Sequence, residues 1–283
     1  MKKFICTLLL FFTTANFSFA GISILGELAQ ERSLQLGEKY EGTINLKNTG
    51  QTPCQVNVYQ TDYRFDADGT NIYGEPGSSA RSNAGWLSVS PGRLTILPDQ
   101  IATVYYTVQI PERKELASIN PDISATENLD LTGTYWSMVM IEPMPEELSP
   151  ENIQDRTGKI QMGIKTKIRY GIQIVTNIGD SGTRRMEFRD KKLIKQDGKT
   201  ILQMDIENTG QRWLFPSVWV EIYAEGGKAM GRFDGDKKRI YPGCSVRQKI
   251  ELTDIPAGQY QALVVADNGD DYVFGARYNF EIK

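Results

Sequence analysis

The chain contains no histidine among its 283 residues. That absence removes the commonest general base, the usual activator of a serine or cysteine nucleophile, and the most frequent transition-metal ligand. Cysteine is almost as scarce, with three residues in all. Cys6 lies near the N-terminus, and Cys54 and Cys244 are too few and too far apart to assemble a zinc site by themselves. Each of those two follows a turn signal, Thr52-Pro53 or Pro242-Gly243, where a small buried residue at a strand start serves equally well. Free structural thiols are the expectation; a bridge between domains or molecules is the alternative, and it needs α-carbons within about 7 Å. The chain also lacks a G-x-S-x-G elbow, a phosphate-binding P-loop and a dinucleotide fingerprint. A carboxylate pair is the one catalytic chemistry left open, so the expectation is a protein that is not an enzyme and uses no cofactor or metal.

Long apolar runs are missing except at the start. Met1-Lys2-Lys3, the apolar Leu8–Phe12 and Phe17-Ser18-Phe19-Ala20 before Gly21 have the charged start, greasy centre and small-residue end of a secretory leader, with cleavage expected after Ala20. Cys6 is not at the cleavage point, so no lipid anchor is expected. Nothing later approaches the roughly 18 apolar residues of a spanning helix. Basic charge is short as well: the 32 Lys and Arg less the two lysines of the leader leave 30 against 35 acidic residues. A nucleic-acid partner is therefore not expected.

What is present is β texture. Runs rich in Val, Ile, Thr, Tyr and Phe recur at Tyr40–Leu46, Val56–Tyr59, Thr103–Ile110, Tyr135–Ile141, Thr200–Ile206, Val218–Tyr223, Val246–Leu252 and Tyr260–Val265, separated by Gly, Pro, Asn and Asp. A weak repeat organises them. Leu46-Lys-Asn-Thr-Gly-Gln51 matches Ile206-Glu-Asn-Thr-Gly-Gln211, Leu97-Pro-Asp99 parallels Tyr241-Pro-Gly243, and Gly133-Thr-Tyr135 parallels Gly258-Gln-Tyr260. About 260 residues after the leader also exceed one ordinary core. The expected fold is all-β, two immunoglobulin-like sandwiches in tandem, with a leader at 1–20, a first domain at 21–176 and a second at 177–283.

The first copy of the repeat is longer in two places. The excess contains Asp66–Asn71 with Gly77–Gly85, and Arg113–Asn128; both read as surface excursions, as does the loop Met144–Gly158. Asp66-Ala-Asp-Gly-Thr-Asn71 begins like a calcium loop, but Asn71 stands at the sixth position where glycine is needed and Gly77 at the twelfth where glutamate is needed, so a hairpin turn is expected. Asp267–Asp271 reads as a turn with solvated acids. Trp213, Phe215, Trp219 and Tyr223 share one strand parity and read as a single apolar face, core rather than sugar platform.

Several segments together are similar to a known family. An arginine on the first strand, a turn glycine and a strand ending in asparagine occur as Arg32, Gly37 and Asn48. A proline-rich approach to a turn and an alternating strand follow in Ser90–Tyr106, with Asp99 in place of the usual glycine. An aromatic strand runs Gly133–Pro143, and an alternating strand with basic pairs runs Ile160–Arg169. These residues resemble the periplasmic pilus and fimbrial assembly chaperones of the chaperone/usher pathway, the PapD-like proteins. The resemblance covers about residues 22–175. Tyr170–Ile174 stands where the family has an aromatic exit ending in Arg-Pro, so the family's fixed angle between domains is not carried over.

The resemblance implies a periplasmic, non-catalytic protein that binds a pilin-like or surface-fibre subunit, with an outer-membrane usher as a further partner. Ile160, Met162, Ile164 and Ile168 would be the donor strand completing an unfinished immunoglobulin-like subunit, an instance of β-strand addition. Arg32 and Arg169 would clamp the subunit's terminal carboxylate, as guanidinium suits carboxylate. On the residues alone, the same isoleucines could cover this domain's own core, with Lys165 and Lys167 protecting an edge. A structural or adhesive immunoglobulin-like envelope protein that lends no strand is the alternative function.

Overall fold

The computed structural model describes residues 21–112, 131–144 and 168–282. The leader, Ile160, Met162 and Ile164 lie outside the described residues. The first strands are β1 (Ile22–Leu25), β2 (Ala29–Leu34), β3 (Lys39–Asn48), β4 (Cys54–Phe65), β5 (Asn71–Gly74), β6 (Leu87–Ser90), β7 (Arg93–Ile96), β8 (Ile101–Gln109), β9 (Gly133–Pro143) and β10 (Tyr170–Ile178). They form one sheet in the order β1-β3-β8-β6 and a second in the order β2-β10-β9-β4-β5, with β7 on the start of β4. The later strands are β11 (Met186–Gln196), β12 (Lys199–Asn208), β13 (Ser217–Ala224), β14 (Ala229–Asp234), β15 (Ser245–Glu251), β16 (Gly258–Asp267) and β17 (Val273–Ile282). Their sheets are β11-β12-β15 and β14-β13-β16-β17.

The period-2 alternation decides which side chains go inside. In β3 the buried positions are Ile44, Leu46 and Asn48, and in β8 they are Val104, Tyr106 and Val108. These meet Val56, Val139, Ile141, Ile172 and Ile174 of the facing sheet in the first core. The later strands enclose a second core of Met204, Ile206, Val220, Ile222, Ile250 and Val264, among others.

The internal repeat is built into matching corners. Asn48 donates to the carbonyls of Thr52 (2.8 Å) and Ile96 (2.9 Å) and accepts from Gly50 N (2.9 Å). Asn208 does the same with Arg212 (2.8 Å), Ile240 (2.9 Å) and Gly210 N (2.9 Å). Both asparagines are buried, so each satisfies three backbone groups that would otherwise lack partners. The second element of the repeat returns to the same corners, where Asp99 N donates to Asn48 O and Gly243 N to Asn208 O. Asp99 has φ 58° and Gly243 φ 71°, so the aspartate takes the left-handed conformation that glycine takes in the other copy.

The two sandwiches are joined by packing as well as by the chain. Trp136 and Val175 sit on β9 and β10 but pack into the second core, with Phe65 partly buried beside them. The Trp136 ring stacks on Tyr241 with centroids 4.7 Å apart and 12° between planes. Its indole N–H donates to Tyr63 O at 2.7 Å, and the Tyr241 hydroxyl donates to Gln173 Oε1. Gly133 (φ 76°) fits only as glycine, because a Cβ there would lie 2.1 Å from Gln211 O across the junction.

Trp136→Ala is expected to cost about 3–5 kcal/mol, read by urea denaturation, and to loosen the junction so that proteolysis separates the sandwiches. Burial pushes the Tyr241 hydroxyl from 10.0 up to about 12. The folded state keeps this proton where the unfolded chain loses it, so stability is full below pH 10 and falls as pH rises towards 12. Thermal melts across that range should show the decline, and Tyr241→Phe should remove part of it; an unchanged slope in that variant contradicts the assignment.

Candidate functional site

β10 is the strand on which the site is built. It pairs antiparallel with β9 over its whole length, from Tyr170↔Ile141 to Ile178↔Gly133. On its other side it pairs parallel with β2, but only from Gln173↔Ala29 to Ile178↔Leu34. The bond from Gln173 N to Leu28 O (2.8 Å) is where that side ends. Among the described residues, no strand pairs with this side of Tyr170, Gly171 and Ile172. Among the described residues this edge presents unpaired backbone groups, a template for strand addition.

The side chains change along the same strand. Ile174 and Ile172 are 0% exposed in the first core, Tyr170 is half-buried, and Ile168, next on the same parity, is 55% exposed. Leu28, at the end of the parallel pairing, is 51% exposed. Gly171 on the other parity leaves room for the sulfurs of Met138 and Met140, either of which would crowd a Cβ there. The apolar row of β10 therefore runs out of its own core before the chain leaves the described residues.

The two arginines expected to form a clamp do not converge. Arg32 lies opposite Thr176, seven positions along β10 from Arg169, or about 23 Å at strand rise. Arg32 donates to the carbonyl of its neighbour Glu31 at 3.1 Å. Arg169 is exposed and hydrogen-bonds Tyr59, which pushes its guanidinium above the usual arginine range. The error lies in the register: β2 runs beside the far end of β10, so the position before Tyr170 cannot meet Arg32.

Glu31 instead supplies the carboxylate of a clamp within the chain. Its Oε1 accepts from Asn177 Nδ2 at 2.6 Å and from Trp213 Nε1 at 2.8 Å, and its Oε2 meets Arg239 Nη1 at 3.2 Å. The Arg239 guanidinium also lies 4.0 Å from the centre of the Trp213 ring. Glu31 and Arg239 are each 28% exposed, so the pair is partly shielded from water and ties β2 to the second sandwich. Nearby, Thr134 Oγ1 donates to Asn177 Oδ1 (2.6 Å) and accepts from Trp213 N (3.0 Å). The sequence signal for this site is slight, since Glu31 and Arg239 are 208 positions apart.

The first enlargement is not a loose excursion. Asp62, 3% exposed, accepts from Gly77 N, Ser78 Oγ, Ser79 N and Ser82 Oγ. Asn83 is fully buried and donates to Ile174 O and Thr176 Oγ1. This folded segment and the turns at Glu207–Gly210 and Pro242–Gly243 enclose a cleft of about 700 Å³. Asp66–Thr70 forms the expected hairpin turn, with Asp66 N donating to Thr70 O, and Ala67 N reaches Ser245 Oγ of the second sandwich at 2.9 Å. Arg113–Asn128 lies outside the described residues.

Reactive chemistry is sparse here. Cys54 and Cys244 are both free, and burial pushes both thiols up, away from the thiolate a nucleophile needs. Among the described residues, no group of three His, Cys, Asp or Glu could hold a metal ion. The expected single aromatic face is corrected: in β13, Val218, Val220 and Ile222 point into the core, while Trp219 and Tyr223 lie on the opposite face around Glu221.

Solved structures similar to the chain include fimbrial chaperones. They include the class 5 fimbriae chaperone CfaA (10% identity, TM-score 0.46, 92% of this chain and 98% of that one). Others are the E. coli chaperone DraB (13%, 0.40, 93% and 98%) and a chain of the CsuC–CsuE chaperone–tip adhesion subunit complex from Acinetobacter baumannii (12%, 0.41, 92% and 98%). No protein-family model matches the chain, and neither does any curated protein.

Glu31→Ala strands three donors and should lower stability by about 1.5–3 kcal/mol, whereas Glu31→Gln, which keeps acceptors for Trp213 and Asn177, should lose less. Equal losses in chemical denaturation would contradict the charge-assisted bond to Arg239. Arg32→Ala and Arg169→Ala should act additively on partner binding, within about 0.5 kcal/mol; a larger coupling energy in a double-mutant cycle would restore the common clamp.

Proposed function

We propose that the protein is a non-catalytic, chaperone-like protein of the periplasm that binds and delivers a pilin-like or surface-fibre subunit by lending it a β-strand. The observation that carries the reading is the exit of β10. Its apolar row passes from the buried Ile174 and Ile172 through half-buried Tyr170 to exposed Ile168, beside an edge with no strand partner among the described residues. Continued at period 2, the row includes Ile164, Met162 and Ile160. Such a strand offers backbone bonds for affinity and alternate apolar side chains for pockets in a β-sandwich that lacks a strand.

Arg169 and Tyr59 stand at the base of this strand and Arg32 lies within the parallel pairing, opposite Thr176, so any anchoring of a carboxylate falls to one arginine at a time. The usher, as a second partner, would meet the complex after the subunit is seated. A second reading, an adhesive envelope protein that lends no strand, draws on the solvent-side row of Trp219, Glu221 and Tyr223, where Arg232 lies 4.1 Å over the indole.

The test is co-purification of the tagged protein from its native envelope, with mass spectrometry of what accompanies it. A small secreted β protein should accompany the wild type. Ile168→Asp should reduce its recovery at least tenfold, since one buried isoleucine contributes about 1.5–3 kcal/mol. A partner kept by Ile168→Asp and Ile164→Asp but lost on Trp219→Ala would favour the adhesive reading.

A further inference from the structure

Apart from the open end of β10 described above, every outermost strand of a sheet in the described residues carries a device against pairing with another chain, except one. β1, β5 and β6 are four residues each, and β2 is six. β14 is six residues long with a register break against β13. β11 breaks register between Arg189 and Lys192, holds Asp190 at φ 47° and is dense in charge. β15 is seven residues with Arg247, Lys249 and Glu251. β17 is ten residues, with no proline, and pairs with β16 in unbroken register from Gly258↔Ile282 to Asp267↔Val273. Among the described residues its other side has no strand partner. Its only charged residues are Arg277 and Glu281, and neither forms an ion pair among the described residues. On its inner side Phe274, Tyr278 and Phe280 are only half-buried against the second core, with Lys191 lying 4.2 Å over the Tyr278 ring.

We propose that this edge is the interface between two copies of the chain, joined by antiparallel pairing of β17 with β17 about a two-fold axis at Asn279. The register follows from geometry and charge. In an antiparallel ladder, facing residues both point their backbone groups towards each other or both away, and these orientations alternate along a strand. A strand pairing with its own copy therefore joins residues of equal parity, and the two-fold axis passes through a residue. An axis at Arg277 sets that guanidinium against itself. An axis at Tyr278 sets Arg277 opposite Asn279 and Glu281 opposite Gly275. The axis at Asn279 alone places Arg277 opposite Glu281 of the second copy, twice by symmetry, on the solvent side. On the inner side it places Tyr278 opposite Phe280 and Ala276 opposite Ile282, so the half-buried rings of both copies become neighbours. The result is one continuous eight-stranded sheet across two copies, and each copy's β10 edge, in the other sandwich, is left free.

Sedimentation equilibrium of the full chain tests this, together with charge reversal. The wild type should reach twice the monomer mass as concentration rises towards the millimolar range. Arg277→Glu should stay monomeric because it faces Glu281, and Arg277→Glu/Glu281→Arg should recover the dimer. In a Cys54→Ser background, Asn279→Cys should form a disulfide-linked dimer on mild oxidation and Val273→Cys should not. Monomer throughout in the wild type overturns the proposal. So does a dimer indifferent to Arg277→Glu, or one abolished by Ile168→Asp, since that dimer would run through β10.

Discussion

A β-strand has backbone donors and acceptors on two sides, and each must find a partner or be left to water. In this protein the strand on which the fold converges, β10, has both sides paired among the described residues only for Gln173–Ile178. The parallel neighbour begins at Ala29 because the chain before it belongs to β1 on the opposite sheet, so one chain segment contributes to both layers. Tyr170–Ile172 inherit an anchored base, an apolar row and, among the described residues, an open edge. A free hairpin would not provide this combination, because its register could slip; here nine residue pairs with β9 hold it.

The second constraint is the junction. Trp136 on β9 and Val175 on β10 serve the second core while their sequence neighbours serve the first. Glu31, Asn177, Thr134, Trp213 and Arg239 surround that contact with hydrogen bonds whose partners come from both sandwiches. Buried and half-buried polar groups of this kind destabilise any arrangement that leaves them unpaired. The two sandwiches are thereby held at one angle, and a partner seated on the β10 edge would meet the second sandwich in a fixed orientation. The Asp62-centred loop lines a cleft at the same junction, together with Trp136 and Glu207–Gly210.

Much of the fold was legible because period-2 alternation and turn residues are local signals. The Asn-Thr-Gly-Gln repeat was legible for the same reason, since each asparagine caps a corner within a few residues of itself, and its structural meaning matches in both copies. The aromatic run from Trp213 was misassigned because Pro216 starts a new strand, so parity counted through it has no meaning, and Val218, Val220 and Ile222 are as apolar as the rings beside them. The segment at Gly77–Gly85 reads as surface because it is rich in serine and glycine; its organiser, Asp62, is supplied from another strand. The separation of Arg32 from Arg169 depends on a parallel register between distant segments, which no local pattern encodes. Glu31 stood next to the residue singled out, and its partner Arg239 carries no motif.

The most direct measurement is hydrogen exchange of the backbone amides between Ile160 and Ile172, in the free protein and in complex with the partner recovered from the envelope. The strand-lending account predicts that amides facing away from β9 exchange freely in the isolated protein and become protected at alternate positions in the complex, while Gln173–Ile178 stay protected in both. Unchanged exchange over Ile160–Ile172 in a saturated complex would contradict it.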